Sequence, residues 1–391
     1  MAKHTGHGRG RTFISRRLVA IGLSVVLIAG IVTAWSQLGD RIDEEQPVAA
    51  GSCLEGPATV PVIADPALAP GLQKIAEAFN ARKPVVRDHC VSVQVRPADA
   101  RATLEGLTAA TWDAQAFGAY PAAWVPESSI WAAVLQTTKP AALQGNPESL
   151  VSSPVRLAVE PRIAEAANGA LSWEGLPDQT EANSLAAFGR SSWGSLRIAM
   201  PAGPQSDATA LAGQAVAAAT ARADRALTPA QAQSPAVVDA LRQLMSAPPR
   251  VGDGSIEAAV KAIADTTDPA DAPVRAVPVT EQRLYTITRD DPVAKVAAVA
   301  PKGPTPVADY PVVKLAGELV PLHISDAVEQ FFTFVRKPAQ MEVLTRVGFR
   351  GTGPLPAPTA TVKFDEVRDL LPVPEPGAAV AINKIVYPAA S

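Results

Sequence analysis

Cysteine and histidine are scarce in this chain, two of the former and four of the latter among 391 residues. His4 and His7 lie near the N-terminus, and His89 and His323 stand alone. No cluster with metal-ligand spacing exists, so neither a metal site nor a cofactor is expected. Aromatic residues make up 5% and charged residues 19%, with a formal net charge of −3. The basic excess of a nucleic-acid binder is missing, and no nucleic-acid partner is expected. A phosphate loop is missing too. Val251-Gly252-Asp253-Gly254-Ser255 has two glycines but lacks the lysine such a loop needs, and reads as a turn before a helix. No Ser, His and acid set is visible, and scattered acids do not make a glycosidase pair. The chain does not read as an enzyme.

Apolar residues (47%) and proline (37 residues) are plentiful. The run Leu18–Trp35 carries no charge, and about 20 apolar residues span a bilayer core. Lys3, Arg9, Arg11, Arg16 and Arg17 precede it, and Asp40, Asp43, Glu44 and Glu45 follow. The basic flank stays in the cytoplasm. The expectation is a cytoplasmic basic tail over 1–17, a transmembrane signal-anchor over 18–35, a polar tether over 36–52, and an extracytoplasmic remainder. Cleavage near Val32-Thr33-Ala34 is the alternative; the length of the run favours the anchor. On the oxidising side, Cys53 and Cys90 are most simply a disulfide, worth roughly 3–4 kcal/mol on the chain-entropy model.

Thr59–Ala64 reads as a first strand, and Leu72, Ile75, Ala76 and Phe79 mark one face of a helix. Val91, Val93 and Val95 then alternate with polar residues as a second strand. This β-α-β opening predicts a parallel sheet. A helix over Ala98–Ala110 follows, and then PAAWVPESSIWAAVL (Pro121–Leu135). Here a buried strand stops at Pro126 and feeds a helix capped by Ser128 or Ser129. Two hydroxyls beside the positive end of a helix suit an oxygen-rich ligand; the bland reading is an N-cap alone. The pattern recurs where Leu196–Met200, a strand, ends at Pro201 and Ser206-Asp207 open an Ala-rich helix. Helices near Pro235–Ser246 and Ser255–Thr266 follow. Val274–Val279, Leu284–Thr288, Val296–Ala300 and Tyr310–Leu315 read as strands. Ser325–Arg336 reads as a helix with Asp326 and Glu329 as its capping pair, and Pro338–Val347 as the last one.

Several segments, taken in order, resemble the bacterial extracellular solute-binding proteins. They are AEAFN (Ala76–Asn80), HCVSVQV (His89–Val95), AAWVPESSIWA (Ala122–Ala132), SPVRLAV (Ser153–Val159), SLRIAMP (Ser195–Pro201), VPVTEQ (Val277–Gln282), DYPVVKLAG (Asp309–Gly317) and FFTFVRKPAQMEVLTRVGFR (Phe331–Arg350). More narrowly, the chain resembles an actinobacterial envelope branch that often carries a von Willebrand factor A domain. That domain needs a DxSxS metal motif. Asp253-Gly254-Ser255-Ile256-Glu257 lacks the second serine, so the adhesion module is expected to be missing.

The resemblance implies an α/β, two-lobed fold of the type 2 periplasmic binding proteins after the N-terminal transmembrane helix. The solute-binding-like domain covers 53–350, with lobe 1 about 58–152 and 308–350, and lobe 2 about 153–307. Residues 351–391 are expected to form a loosely packed Pro-rich tail. In such a fold, loops after strands and helix N-termini line the cleft. The candidate ligand contacts are therefore Asp65, Trp124, Ser128, Ser129, Ser206, Asp207, Thr209, Thr280, Glu281, Gln282 and Tyr310. An acid at Asp65 disfavours an anionic ligand. The function expected is a membrane-anchored protein that holds a small polar solute without catalysis, with a transporter, sensor or envelope protein as partner. The alternative is an envelope scaffold that keeps the fold and no longer binds a small ligand. A binder should show polar groups converging in the cleft, and a scaffold a filled seam.

Overall fold

The computed structural model describes residues 53–387. The expected basic tail, anchor and tether lie outside the described residues. The chain divides into two units, residues 1–54 and 55–391. Of the first, only Cys53 and Leu54 are described, and the fold belongs to the second. Both cysteines are disulfide-bonded.

The chain opens with β1 (Pro57–Ala64), α1 (Ala69–Asn80), β2 (Val85–Val86), β3 (His89–Pro97) and α2 (Ala100–Thr108). It continues through β4 (Ala123–Val125), α3 (Ser129–Thr138) and β5 (Glu148–Ser149). It then enters a second lobe: β6 (Ser153–Val159), α4 (Pro161–Ala167), α5 (Asp207–Thr220), α6 (Pro235–Leu244), α7 (Ile256–Ala264), β7 (Ala276–Thr280), α8 (Glu281–Thr288), β8 (Ala297–Val299) and β9 (Val307–Ala308). It returns to the first lobe as β10 (Pro311–Lys314), α9 (Leu322–Val335) and α10 (Pro338–Thr345), and ends in α11 (Pro376–Val386).

Each lobe is built on its own sheet. The first has the order β2-β3-β1-β4-β10-β5, and the second β7-β6-β8 with β9 also on β6. The β-α-β opening gives the parallel pairing expected of it: β1 runs parallel to β3 and to β4. The returning β10 is antiparallel to β4. Val60, Val62, Leu72 and Ile75 are fully buried or nearly so. Phe79 meets Phe331 of α9 edge-on at 5.5 Å, so the returning helix closes the first core.

Four expectations fail. Leu284–Thr288 is not a strand but part of α8. Leu284 and Thr288 are both buried four residues apart, and the Thr288 hydroxyl donates to the Leu284 carbonyl at 2.8 Å, a helical contact. Leu196–Met200 pairs only through a bridge from Ile198 to Ala276. Arg197 has φ +48°, a left-handed turn that stops a ladder. Asp326 and Glu329 cap nothing, because α9 begins a turn earlier at Leu322; they meet Arg87 and Lys314 instead. The segment after Arg350 does not pack loosely. It ends in α11, which packs on α3 of the first lobe and on α5 of the second. Gly213 permits this approach: a Cβ there would stand 3.2 Å from Val386 and 3.6 Å from Ile382. Among the described residues, no helix is long and apolar enough to cross a membrane.

Candidate interlobe site

Pro126 ends β4, and Glu127 and Ser128 fill the turn into α3. Ser128 has the extended backbone of an N-cap, but its side chain makes no capping bond. The hydroxyl instead crosses to the second lobe and donates to Asp207 Oδ2 at 2.6 Å. Trp131 Nε1, one turn into α3, donates to Asp207 Oδ1 at 2.8 Å. Asp207 opens α5, and its carboxylate is thus held wholly by groups of the first lobe. The N-terminus of α3 is occupied as well. The Ser129 N–H donates to Asp309 Oδ1 at 2.7 Å, and its hydroxyl bonds Oδ2.

Around this contact stand three buried carboxyls. Asp65, at the end of β1, is 3% exposed and accepts from the Ala67 N–H at 2.8 Å. Glu127 is also 3% exposed; its carboxyl takes the backbone N–H of Asp207, and Oε2 has no partner. Burial lifts Asp65 to about 6, against the pull of the Ala67 N–H and the Arg283 charge. Burial also lifts Asp207 to about 7, opposed by the hydrogen bonds from Ser128 and Trp131. Glu127 rises well above the carboxylate range, through burial first and then the Asp207 and Asp65 charges. Arg283 is the cation beside Asp65 and Glu127, and it is already bonded to Glu257 at 2.6 Å. Tyr310, fully buried beside the trio, is pushed up by burial and by the same carboxyls. Its φ of +39° is unusual for a bulky residue and marks strain where the chain re-enters the first lobe.

The sequence candidates do not all fall in one place. Asp65, Ser128 and Asp207 come together, with Tyr310 beside them. Ser206 belongs to the same seam by its backbone: its carbonyl accepts from the Tyr387 hydroxyl at 2.9 Å, while its own hydroxyl turns to Gly203. Ser129 serves Asp309. The Thr209 and Thr280 hydroxyls are buried without partners. Glu281 and Gln282 sit in a different network. Glu281 is bonded by Arg156 at 3.2 Å and Arg350 at 2.8 Å, and the Gln282 N–H donates to Ser153 Oγ at 2.9 Å. Trp124, a candidate ligand contact, is fully buried, and it offers no face to a solute.

Sequence reasoning passed over Glu127, Trp131, Arg283, Asp309 and Tyr387. Glu127 and Trp131 were in plain sight inside the Pro121–Leu135 stretch. Arg283 directly follows Gln282, but reading its neighbours as a strand hid the turn of helix that carries it. The ring of Tyr387 stacks on Trp131 at 5.5 Å, and nothing local signals that.

Two α/β lobes whose facing loops meet across a polar seam define a bilobal binding protein. The chain matches the family model described as bacterial extracellular solute-binding protein over residues 60–350, and it belongs to that family. An uncharacterized protein of Mycobacterium tuberculosis, found in two strains, is 37% identical over 371 residues, covering 93% of this chain and 53% of that protein. The chain therefore spans about half the length of the curated relatives it matches. Among solved structures, iron-bound HitA of Pseudomonas aeruginosa is similar at 14% identity and TM-score 0.56, over 84% of this chain and 99% of that one. The ferric binding protein of Campylobacter jejuni is similar at 10% identity and TM-score 0.54, over 84% and 98%. AfuA of Actinobacillus pleuropneumoniae, with fructose-6-phosphate bound, gives 13% identity and TM-score 0.51, over 85% and 97%. These likenesses define the two-lobed fold. Among the described residues, no group of three or more His, Cys, Asp or Glu is placed to hold a metal ion.

Proposed function

We propose that this solute-binding-family protein is an extracytoplasmic receptor, held to the membrane by Leu18–Trp35, whose solute is small, polar and either uncharged or cationic. The observation that carries the reading is the meeting of Ser128 and Trp131 from one lobe with Asp207 from the other. Converging polar groups at the ends of strands and helices are what a binding cleft requires. Three carboxyls beside one already-paired guanidinium make the seam acidic, which repels an anion and favours a donor-rich or positively charged guest. The unpartnered Glu127 Oε2 is a polar atom left for it to pair with. A solute would enter by parting Ser128 from Asp207 as the lobes hinge. The next partner would be a transporter or a sensor that reads lobe closure.

The second reading, an envelope scaffold, is favoured by α11. Asn383 Nδ2 reaches the Ile130 carbonyl of the first lobe at 3.3 Å, and Tyr387 reaches Ser206 of the second at 2.9 Å. The seam is thereby partly filled by the chain itself, with a cavity of about 90 Å³ left beside Trp131, Asp207 and Tyr387. Native mass spectrometry of the full chain, taken from its host membranes, separates the two. A discrete adduct that leaves on denaturation and is lost in Asp207→Ala supports the receptor. A clean mass, with one envelope protein repeatedly cross-linked at the seam, supports the scaffold.

A further inference from the structure

A cavity lies between α3, α5 and the C-terminal segment, and the proposed function does not use it. Its volume is about 210 Å³. Ile130 and Ala133 of α3, Leu211 of α5, Val307, and Pro372 and Ala379 of the C-terminal segment give it apolar wall. Three observations bear on what it is for. The first is Gln214, which also lines the cavity. It is 3% exposed, in the middle of the Ala-rich helix α5, and its Nε2 has no hydrogen-bond partner. A buried amide left unsatisfied among alanines calls for a partner from outside the chain. The second is the rim: Val373 lines the cavity yet is 63% exposed, and nearby Leu370 is 56% exposed. The rim therefore mixes exposed apolar side chains with the exposed amide of Asn146. The third is Asp309, whose carboxylate is on the wall but already takes both the N–H and the hydroxyl of Ser129.

We propose that this cavity is a ligand site separate from the acid seam, and that it takes a small uncharged amphiphile. The guest is an aliphatic chain with one amide, on the order of ten heavy atoms, because the cavity is smaller than a drug-sized pocket. The amide pairs with Gln214 whichever way the glutamine's own amide is turned, since each offers a donor and an acceptor. The chain lies on Leu211, Ile130 and Val307. A carboxylate guest is excluded by Asp309. An ammonium guest finds that same carboxylate already engaged by Ser129.

The test uses the full chain in lipid nanodiscs, titrated with hexanamide, hexanoate and hexylamine, and the unfolding midpoint is read. Hexanamide should raise the midpoint, and the two charged probes should not. Ala133→Phe fills the cavity and should weaken the hexanamide response at least tenfold. Gln214→Leu guards against a misfolded filling variant. It should keep the uptake of xenon, which enters dry apolar cavities, as seen by xenon NMR, while its hexanamide response falls at least tenfold. The proposal is overturned if no probe shifts the midpoint, if a charged probe matches hexanamide, or if Gln214→Leu binds hexanamide as the parent does.

Discussion

Two buried acidic places in this protein are built on opposite plans. Glu281 is one carboxylate between two guanidiniums, Arg156 and Arg350, and its three side chains are 4%, 9% and 19% exposed. It ties β6 and α8 to the strand-like return at Arg350, which itself bridges Ser152. At the seam the ratio is reversed. Asp65 and Glu127 share one guanidinium, Arg283, which is also bound to Glu257, while Asp207 feels the carboxyls of Asp65 and Asp99. Desolvating charge is tolerable where opposite charge compensates it, and otherwise the acids retain protons. The first arrangement is what a structural tie needs. The second leaves unspent acceptor capacity at a cleft, which is where functional groups concentrate.

The sharpest way to break this comparison is at the tie. Glu281→Gln leaves two guanidiniums against a neutral amide and should lower stability by about 3–5 kcal/mol in urea unfolding. A loss under about 1 kcal/mol would put the triad on a par with exposed pairs and erase the contrast. Asp207→Asn should cost less, about 1–3 kcal/mol, because an amide offers one acceptor where Ser128 and Trp131 present two donors. An unchanged midpoint would mean that the lobes do not depend on that contact.

The finest test is the pH profile. Asp65 and Asp207 have folded values of about 6 and about 7, above those of the unfolded chain. The folded state therefore holds the extra protons. Their stabilisation is complete in acid, below the unfolded carboxylate values, and is lost as pH rises through 6 to 7. The unfolding midpoint should fall between pH 5 and pH 8, against the usual rise of a protein whose acids are paired. Glu127→Gln removes one of the mutually repelling carboxyls without changing its shape. It should flatten that profile and add about 1 kcal/mol at the alkaline end, the equivalent of less than one pKa unit. A profile rising towards pH 8 would contradict the acid-rich seam.

How much of this was legible depends on how far apart the partners lie. The turn at Pro126–Ser128 and the opening of α5 at Ser206–Asp207 were readable, because strand, proline, polar cap and helical spacing are all local. The bond between Ser128 and Asp207 joins positions 79 residues apart, and no local pattern encodes it. α8 was misread because Leu284 to Thr288 is too short to separate a period of two from one of 3.6, and with it went Arg283. α11 was hidden by composition. Proline and alanine dominate the segment, yet Ala379, Ile382 and Val386 form one buried face once Pro376 has begun the helix. Trp124 shows the reverse error: a large aromatic near the cleft in sequence became core.

The Ser128–Asp207 contact has a consequence for affinity. Asp207 is attached to the same chain as the groups it binds, so it acts as a built-in competitor at a fixed, high effective concentration. Any solute that needs Ser128 and Trp131 must displace it, and its apparent dissociation constant is the intrinsic one divided by the fraction of molecules in which Asp207 has let go. On the proposed receptor reading, such an arrangement ignores a trace solute and answers only an abundant one.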